Sequence, residues 1–216
     1  MSRRSGSLRT VTRSSIPGRS QQLPHLSSRF EEALIYAVHI HDGQVRNSTT
    51  IPYFSHLMGA SSLALEHGAD EDEAIAALLH DAVEDQGGTA RLAAIRNRFG
   101  DRVADIVAGC TDSVVSPKPP WRKRKEEYLA HLAEAPYSVR LVSGSDKLHN
   151  ARAILADLRE YGDEVWKRFR AEPADQLWYY GSLVQIFDNG GPESIARELR
   201  HTVGEIRKLT GVGSAK

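Results

Sequence analysis

Residues 70–85, with the sequence DEDEAIAALLHDAVED, constrain the fold more than any other part of the chain. Asp70 and Glu73 have the spacing of a capping box, which predicts that a helix begins here. The residues that follow are apolar over much of the helix circumference, namely Ala74, Ile75, Leu78, Leu79 and Ala82. Such a pattern is typical of a helix with little solvent exposure. We therefore predict a helix through residues 70–82 at the centre of the domain.

Helix-period apolar stripes recur along the rest of the chain. Ser28 and Glu31 have capping spacing before the first stripe, which should end near Gly43, and Thr89 is the expected cap of a helix reaching residue 99. Further helices are expected at about 55–68, 103–110, 121–135, 139–155, 173–187 and 193–209. The short β-branched run at 139–142 is explained equally well by a buried helix. The fold class that we predict is all-α with a single domain.

Composition limits the class of protein. Hydrophobic residues make up 40% of the 216 residues and charged residues 26%, which is typical of one globular domain with a tail. The formal net charge is zero, so charge does not favour nucleic acid or an anionic membrane as a partner. We expect no membrane span, because no apolar run is long enough to cross a bilayer. The single cysteine, Cys110, precludes an internal disulfide and fits a cytoplasmic protein.

The first 24 residues differ from the rest, because they carry five arginines and several serines but no acidic residue. They contain no apolar segment of the kind found in secretory signals. We predict that residues 1–24 form a disordered basic tail. An organelle transit peptide and a tail that contacts RNA are the weaker alternatives.

The dipeptide His80-Asp81 lies at the end of the apolar helix, where a charged aspartate should not be buried without a partner or a metal ion. Glu84 and Asp85 follow Asp81 by three and four residues, which places their carboxylates on one helical face. Like charges this close repel one another unless a cation lies among them. A solvated acidic helix end with a core histidine is the alternative. We favour a metal site, because Asp81 interrupts an apolar helix.

Two more positions complete the expected set of ligands. His56 lies at the start of the second helix, and Asp146 lies in SDKLHNAR, with Asn150 one turn later on the same face. Two imidazoles and two carboxylates suit Mn, Fe, Co, Ni or Zn better than Ca or Mg. Four protein ligands on an octahedral ion leave positions for water and substrate. Taken singly, His56 could be an ordinary histidine and Asp146 a helix N-cap.

Basic and aromatic residues give weaker signals. Arg46, in the loop before the second helix, could stack on a base or pair with a phosphate, although alone it would be taken as an exposed loop arginine. Lys118 and the basic residues 122–125 could contact phosphates, but two glutamates follow at 126–127, so a solvated helix start is equally consistent. The aromatic residues 178–180 are expected in a core or interface. Six histidines receive no predicted role: His39, His41, His67, His131, His149 and His201.

Taken together, these segments resemble the hydrolase domain of the RelA/SpoT alarmone enzymes, in particular the stand-alone small alarmone hydrolases of the HD phosphohydrolase superfamily. The segments that carry the resemblance are AVHIHDGQVR, IPYFSHL, AIAALLHDAVEDQGGT, FGDRVADIVAGCTDS, WRKRKEEYL and SDKLHNAR, in family order between residues 28 and 152. The resemblance implies an all-α HD hydrolase domain, which we assign to residues 25–212. It also implies hydrolysis of the 3′-pyrophosphate of guanosine 3′,5′-bispolyphosphates to GDP or GTP and pyrophosphate.

The resemblance further implies roles for individual residues. One Mn²⁺ ion, or another divalent transition metal, would be bound by His56, His80, Asp81 and Asp146. Glu84 and Asp85 would position or activate the attacking water. The substrate would be bound by Arg46, Asn47, Ser48 and Asn150, with Arg46 against the purine base.

Departures from the family pattern affect substrate recognition. Asn47 occupies the place of the usual lysine, Lys147 that of the usual arginine after Asp146, and the loop before His56 is one residue longer. The same chemistry on (p)ppApp or NADPH, another HD reaction such as 5′-nucleotide hydrolysis, and a non-catalytic nucleotide sensor are therefore the alternatives. All six expected metal and water-positioning residues are present, which favours an enzyme. The sequence leaves the metal, the base preference and the oligomeric state open.

Overall fold

Ten α-helices and one 3₁₀-helix form most of residues 25–114 and 117–211, the part of the chain that the computed structural model describes. The helices are α1 (Ser28–Ile40), α2 (Phe54–Glu66), α3 (Glu71–Leu79), α4 (Ala82–Asp85), α5 (Gly88–Phe99), α6 (Asp101–Cys110), α7 (Trp121–Glu134), α8 (Tyr137–Tyr161), the 3₁₀-helix (Gly162–Arg168), α9 (Pro173–Asp188) and α10 (Glu193–Thr210). Within these residues the only β-structure is one isolated antiparallel β-bridge, between Val45 and Pro52. The all-α prediction is therefore confirmed. The predicted tail at 1–24 lies outside the described residues.

Helix α3 is central, as its apolar pattern predicts. Every residue from Glu73 to Leu79 is buried, and the helix packs against α1, α2, α6 and α8. The predicted capping box is present, because the Asp70 side chain accepts from the Glu73 amide at 3.0 Å and the Glu73 side chain accepts from the Asp70 amide at 2.9 Å. Local cap chemistry and burial therefore fix the start of the same helix.

Helix α8 is a second buried element and runs for 25 residues, longer than the segment predicted at 139–155. The β-branched run at 139–142 is helical, and its buried side chains face α6 and other neighbours. Because α8 contacts α2, α3, α6 and α10, its middle turns lie against the ends of both α2 and α3. This crossing brings residues distant in sequence to one place.

The structure corrects several predicted helix boundaries. The helix predicted through residue 82 ends at Leu79, and His80 and Asp81 form a joint before the short α4. Asp81 has φ −94° and ψ −4°, which departs from helical ψ, so the two polar residues lie at a break rather than inside a helix. Ser27, rather than Ser28, caps α1. Helix α5 begins at Gly88, so Thr89 is not its cap.

No helix in the described ranges 25–114 and 117–211 is long and apolar enough to cross a membrane.

Candidate active site

Three buried side chains from three helices meet at one point. His56 lies in the first turn of α2, His80 directly after α3, and Asp146 in the middle of α8. Their ligand atoms all lie within 4.8 Å of one another. His56 Nε2 is 3.2 Å and His80 Nε2 3.6 Å from Asp146 Oδ1. The structure thus brings together three of the four predicted ligands as a compact set.

Asp81, the fourth predicted ligand, lies beside this set. Its Oδ2 is 2.8 Å from His80 Nε2 and 3.7 Å from His56 Nε2. The Tyr53 hydroxyl donates a 2.5 Å hydrogen bond to the same oxygen. Asp81 therefore faces both imidazoles, and Tyr53 holds its carboxylate in place.

The hydrogen bonds of His80 leave one ring nitrogen available for a ligand. Nδ1 is 2.8 Å from the Ala77 carbonyl oxygen, which can only accept, so Nδ1 carries a proton. Nε2 is buried and has no hydrogen-bond partner among the described residues, although Asp81 Oδ2 lies 2.8 Å away. An imidazole fixed in this way by a backbone carbonyl is the usual arrangement of a metal-bound histidine. With carboxylates beside it, the donor set fits a divalent transition metal.

The charges at the site are strongly coupled. Burial opposes the charged form of His80, but the carboxylates of Asp81 and Asp146 outweigh burial and raise the pKa of His80 well above its ordinary value. Burial likewise opposes ionisation of both aspartates. His80 reverses this for Asp81, and Lys147 together with His80 reverses it for Asp146, so both carboxyl pKa values lie well below the usual range. A bound cation would displace a proton from the His80 imidazole.

Neighbouring side chains orient Asp146. Its Oδ2 accepts from Lys147 Nζ at 2.5 Å, and its Oδ1 accepts from Asn150 Nδ2 at 2.6 Å. Asn150 in turn accepts from Arg46 Nη2 at 3.0 Å, which links the loop before α2 to α8. The other guanidinium nitrogen of Arg46, Nη1, is buried and has no hydrogen-bond partner in the described part of the chain.

Glu84 and Asp85 lie near the set. They do not crowd onto His80, although the prediction of one shared helical face required them to. The break at residues 80–81 changes their direction. Glu84 Oε1 instead pairs with Lys118 Nζ at 2.6 Å, and Asp85 Oδ2 accepts from Gln44 Nε2 at 2.9 Å. Partial desolvation of the Asp85 carboxyl, together with the charge of Asp81, raises the pKa of Asp85.

A cavity of about 690 Å³ adjoins these residues, large enough for a nucleotide. Tyr53, Lys147 and Asn150 form part of its wall and connect it to the carboxylates of the cluster. The predicted site residues in the wall are Arg46, Asn47, Glu84, Asp85 and Asn150. Ser48, which has a left-handed φ of 57°, is not among the described wall residues. Basic side chains also line the cavity, namely Lys118, Lys125, Lys147 and Arg168.

Sequence patterns missed several of these neighbours. His149 received no predicted role, yet its Nδ1 lies 2.9 Å from Nδ1 of His56. Tyr179 and Tyr180 are buried, as predicted, but also line the cavity. Spacing offered one signal, since His149 lies three residues after Asp146 on the same helix. The basic residues 122–125 lie in two different environments. Arg122 pairs with Glu126 near solvent, whereas Lys125 lines the cavity and pairs with Asp112.

The fold and the site together define an all-helical domain with a buried histidine–aspartate centre. A family model described as "HD domain" matches residues 33–175, and the chain belongs to this family. It is 33% identical over 144 residues to a Xenopus tropicalis protein named guanosine-3′,5′-bis(diphosphate) 3′-pyrophosphohydrolase MESH1; the match covers 65% of this chain and 75% of that protein. The expected resemblance to alarmone hydrolases is confirmed.

Two further similarities extend this result. A probable GTP pyrophosphokinase of Mycobacterium leprae is 35% identical over 116 residues, which are 53% of this chain but only 14% of that longer protein. A solved structure described as a metazoan ortholog of SpoT that hydrolyses ppGpp superposes with a TM-score of 0.65. The two share 24% sequence identity over 87% of this chain and 98% of the other, so this match supports the fold.

Proposed function

We propose that this protein is a metal-dependent phosphohydrolase that removes the 3′-pyrophosphate of guanosine 3′,5′-bispolyphosphates and leaves GDP or GTP. The observation that carries the proposal is the buried cluster of His56, His80 and Asp146 beside a cavity with several basic residues in its wall. The named activity of the Xenopus relative supports the substrate class. We place this activity in one HD domain over residues 25–212 of a cytoplasmic protein, with a small-molecule nucleotide as its partner and no membrane or nucleic acid.

The four residues proposed to hold one Mn²⁺ ion are His56, His80, Asp81 and Asp146. A divalent ion bound there would supply Lewis acidity for water and for the reacting phosphoryl group. The chain itself orients the ligands through contacts already formed. Ala77 fixes the His80 ring, while Tyr53 holds the Asp81 carboxylate.

Glu84 and Asp85 are proposed to position the attacking water. The water oxygen would bond to the phosphorus on the 3′ oxygen, the bond between that phosphorus and the 3′ oxygen would break, and the 3′ oxygen would leave as the hydroxyl group of GDP or GTP after gaining a proton. The proton released by water needs a nearby acceptor, and the raised pKa of the Asp85 carboxyl makes it a stronger base than an ordinary aspartate. Lys118, which now pairs with Glu84, would be drawn to the substrate phosphates.

Nucleotide binding is proposed for the loop before α2 and the facing turn of α8. Arg46 is tethered to Asn150 through Nη2, so its planar guanidinium is held at the cavity wall, where a purine could stack on it. Asn47 and Ser48 follow directly and would contact the base or ribose. Lys125, Lys147 and Arg168 provide positive charge for the polyphosphate.

Product analysis by ion-exchange chromatography tests this function. Metal-stripped protein is reloaded with Mn²⁺ and offered ppGpp, pppGpp, ppApp and NADPH in parallel. We expect GDP and pyrophosphate from ppGpp, no turnover by Asp81→Ala, and normal turnover by the control His201→Ala, whose histidine is exposed. Turnover of ppApp or NADPH alone would contradict the guanine assignment. Metal binding without any turnover would indicate a nucleotide-sensing module.

A further inference from the structure

We propose that His149 is a positioning residue that selects the ring tautomer of His56, and that Gly59 provides the space in which His149 can do so. This inference rests on the proposed metal centre and adds two residues to it. His56 and Gly59 lie one turn apart on α2, and His149 lies on α8. The contact therefore crosses the interface between the two helices.

Only one of the two facing Nδ1 atoms of His56 and His149 can carry a proton. His56 Nδ1 and His149 Nδ1 are 2.9 Å apart, which is hydrogen-bond distance, and the ring centroids are 4.9 Å apart. One nitrogen must donate and the other must accept, because two N–H groups or two lone pairs at this distance would repel. The tautomers of the two rings are therefore coupled.

The surroundings of His56 decide the direction of this bond. Its Nε2 faces Asp146 Oδ1 at 3.2 Å and lies in the cluster of ligand atoms. To bind a cation, Nε2 must present a lone pair, so the ring proton must lie on Nδ1 and be donated to His149. His149 accepts through Nδ1 and carries its own proton on Nε2. The opposite direction would place a proton on His56 Nε2 and block the metal.

The two histidine ligands are thus fixed by different acceptors. The Ala77 carbonyl that orients His80 can only accept, so its effect cannot be reversed. The imidazole that orients His56 can either accept or donate. The tautomer of His149 therefore becomes part of the metal site, although His149 does not contact the metal in this arrangement.

Gly59 explains how the His149 ring fits against α2. A Cβ atom at position 59 would lie 2.2 Å from His149 Nε2 and 2.3 Å from Cδ2, closer than real contacts allow. Glycine is unfavourable in a helix interior compared with alanine, so its presence here needs a packing reason. The missing side chain lets the His149 ring lie directly on the helix backbone. Alanine at position 59 would force the ring to shift and so disturb its contact with His56 Nδ1.

The test measures Mn²⁺ affinity by titration calorimetry on metal-stripped protein. His149→Leu removes the acceptor, and we expect a dissociation constant raised about 10–100-fold. His149→Asn retains an acceptor at the δ position and should restore affinity to within about threefold of the wild type. Gly59→Ala should weaken binding as His149→Leu does. Gly204→Ala is the matched control, because a Cβ at that helical glycine meets no described atom within 4 Å.

Two further measurements distinguish a positioning role of His149 from a general packing role: the Mn²⁺ affinity of a double variant and NMR detection of the imidazole protons. The double variant Gly59→Ala/His149→Leu should bind Mn²⁺ no more weakly than His149→Leu alone, because both changes remove one hydrogen bond. In the Zn²⁺-loaded wild type, long-range ¹H–¹⁵N spectra should show protons on His56 Nδ1 and His149 Nε2. This measurement needs no variant to fold.

Several results would overturn the inference. A proton on His149 Nδ1 would do so, as would equal loss of affinity in the Leu and Asn variants, which indicates packing alone. Unchanged affinity in His149→Leu would refute the positioning role while leaving the metal centre intact. Absence of Mn²⁺ and Zn²⁺ binding by the wild type would instead refute the proposed function itself, and the positioning role with it.

Discussion

Replacement of Lys147 by methionine should destabilise the metal-free protein strongly. The Lys147 Nζ lies 2.5 Å from Asp146 Oδ2, and the two side chains are 17% and 5% exposed. At an effective dielectric constant near 20, opposite unit charges at this distance attract by roughly 7 kcal/mol. Desolvation of the ammonium offsets part of this attraction, but methionine leaves Asp146 buried with its charge uncompensated on that side.

The net cost follows from these opposing effects. Breaking a buried ion pair by removing one partner costs about 3–5 kcal/mol. We expect about 3 kcal/mol here, at the lower end, because Lys147 retains some exposure and the nearby imidazoles also stabilise Asp146. For a chain of this length, that cost corresponds to a fall in the melting temperature of roughly 6–12 °C.

The assay is urea and thermal unfolding of metal-stripped protein at neutral pH, with Lys147→Arg and Lys123→Met as controls. The arginine keeps the charge and should cost about 1 kcal/mol or less. Lys123 is 67% exposed and 3.8 Å from Glu127, so its loss should cost at most about 0.5 kcal/mol. Mn²⁺ should reduce the defect of Lys147→Met, because the cation also compensates Asp146. A defect no larger than that of Lys123→Met would refute this reasoning.

Three further predictions concern the proposed centre. Tyr53→Phe removes the 2.5 Å hydrogen bond to Asp81, and titration calorimetry should show that the Mn²⁺ affinity falls about 10-fold. Unaltered affinity would contradict the role of Tyr53 in orienting the Asp81 carboxylate. Asp85 has a raised pKa in the folded protein, so its stabilising contribution is present at acidic pH and is lost as the pH rises through that pKa. In the metal-free state, Asp85→Asn should therefore resist urea better than the wild type at neutral pH but not at acidic pH. The same variant should lose turnover. Chelation of the metal should lower the free energy of unfolding by about 3 kcal/mol relative to protein with Mn²⁺ at 100 times its dissociation constant. Scanning calorimetry measures this as a lower melting temperature, and equal melting temperatures with and without Mn²⁺ would contradict a metal site in the folded protein.

Local features of the fold were predictable because they depend on neighbours in sequence. The capping box of Asp70 and Glu73, the burial of α3 and the placement of Asn150 one turn after Asp146 all follow from helical period and cap chemistry. Boundaries were predicted less well, as with Thr89. There Gly87, with a φ of 124°, is the cap, and the helix starts at Gly88, two residues before the start that a cap at Thr89 predicts.

The cluster itself combines both kinds of information. By itself, the sequence determined an all-helical chain and, through its resemblance to a known family, named His56, His80, Asp81 and Asp146 as a set. Only the tertiary structure decided that three of these side chains are mutually close and that Asp81 is held by Tyr53. It also decided that Glu84 turns toward Lys118, 34 residues away, and that His149 meets His56 across 93 residues. The reason is physical: a helical period specifies which face of a helix is buried, whereas the crossing of packed helices determines which side chains meet.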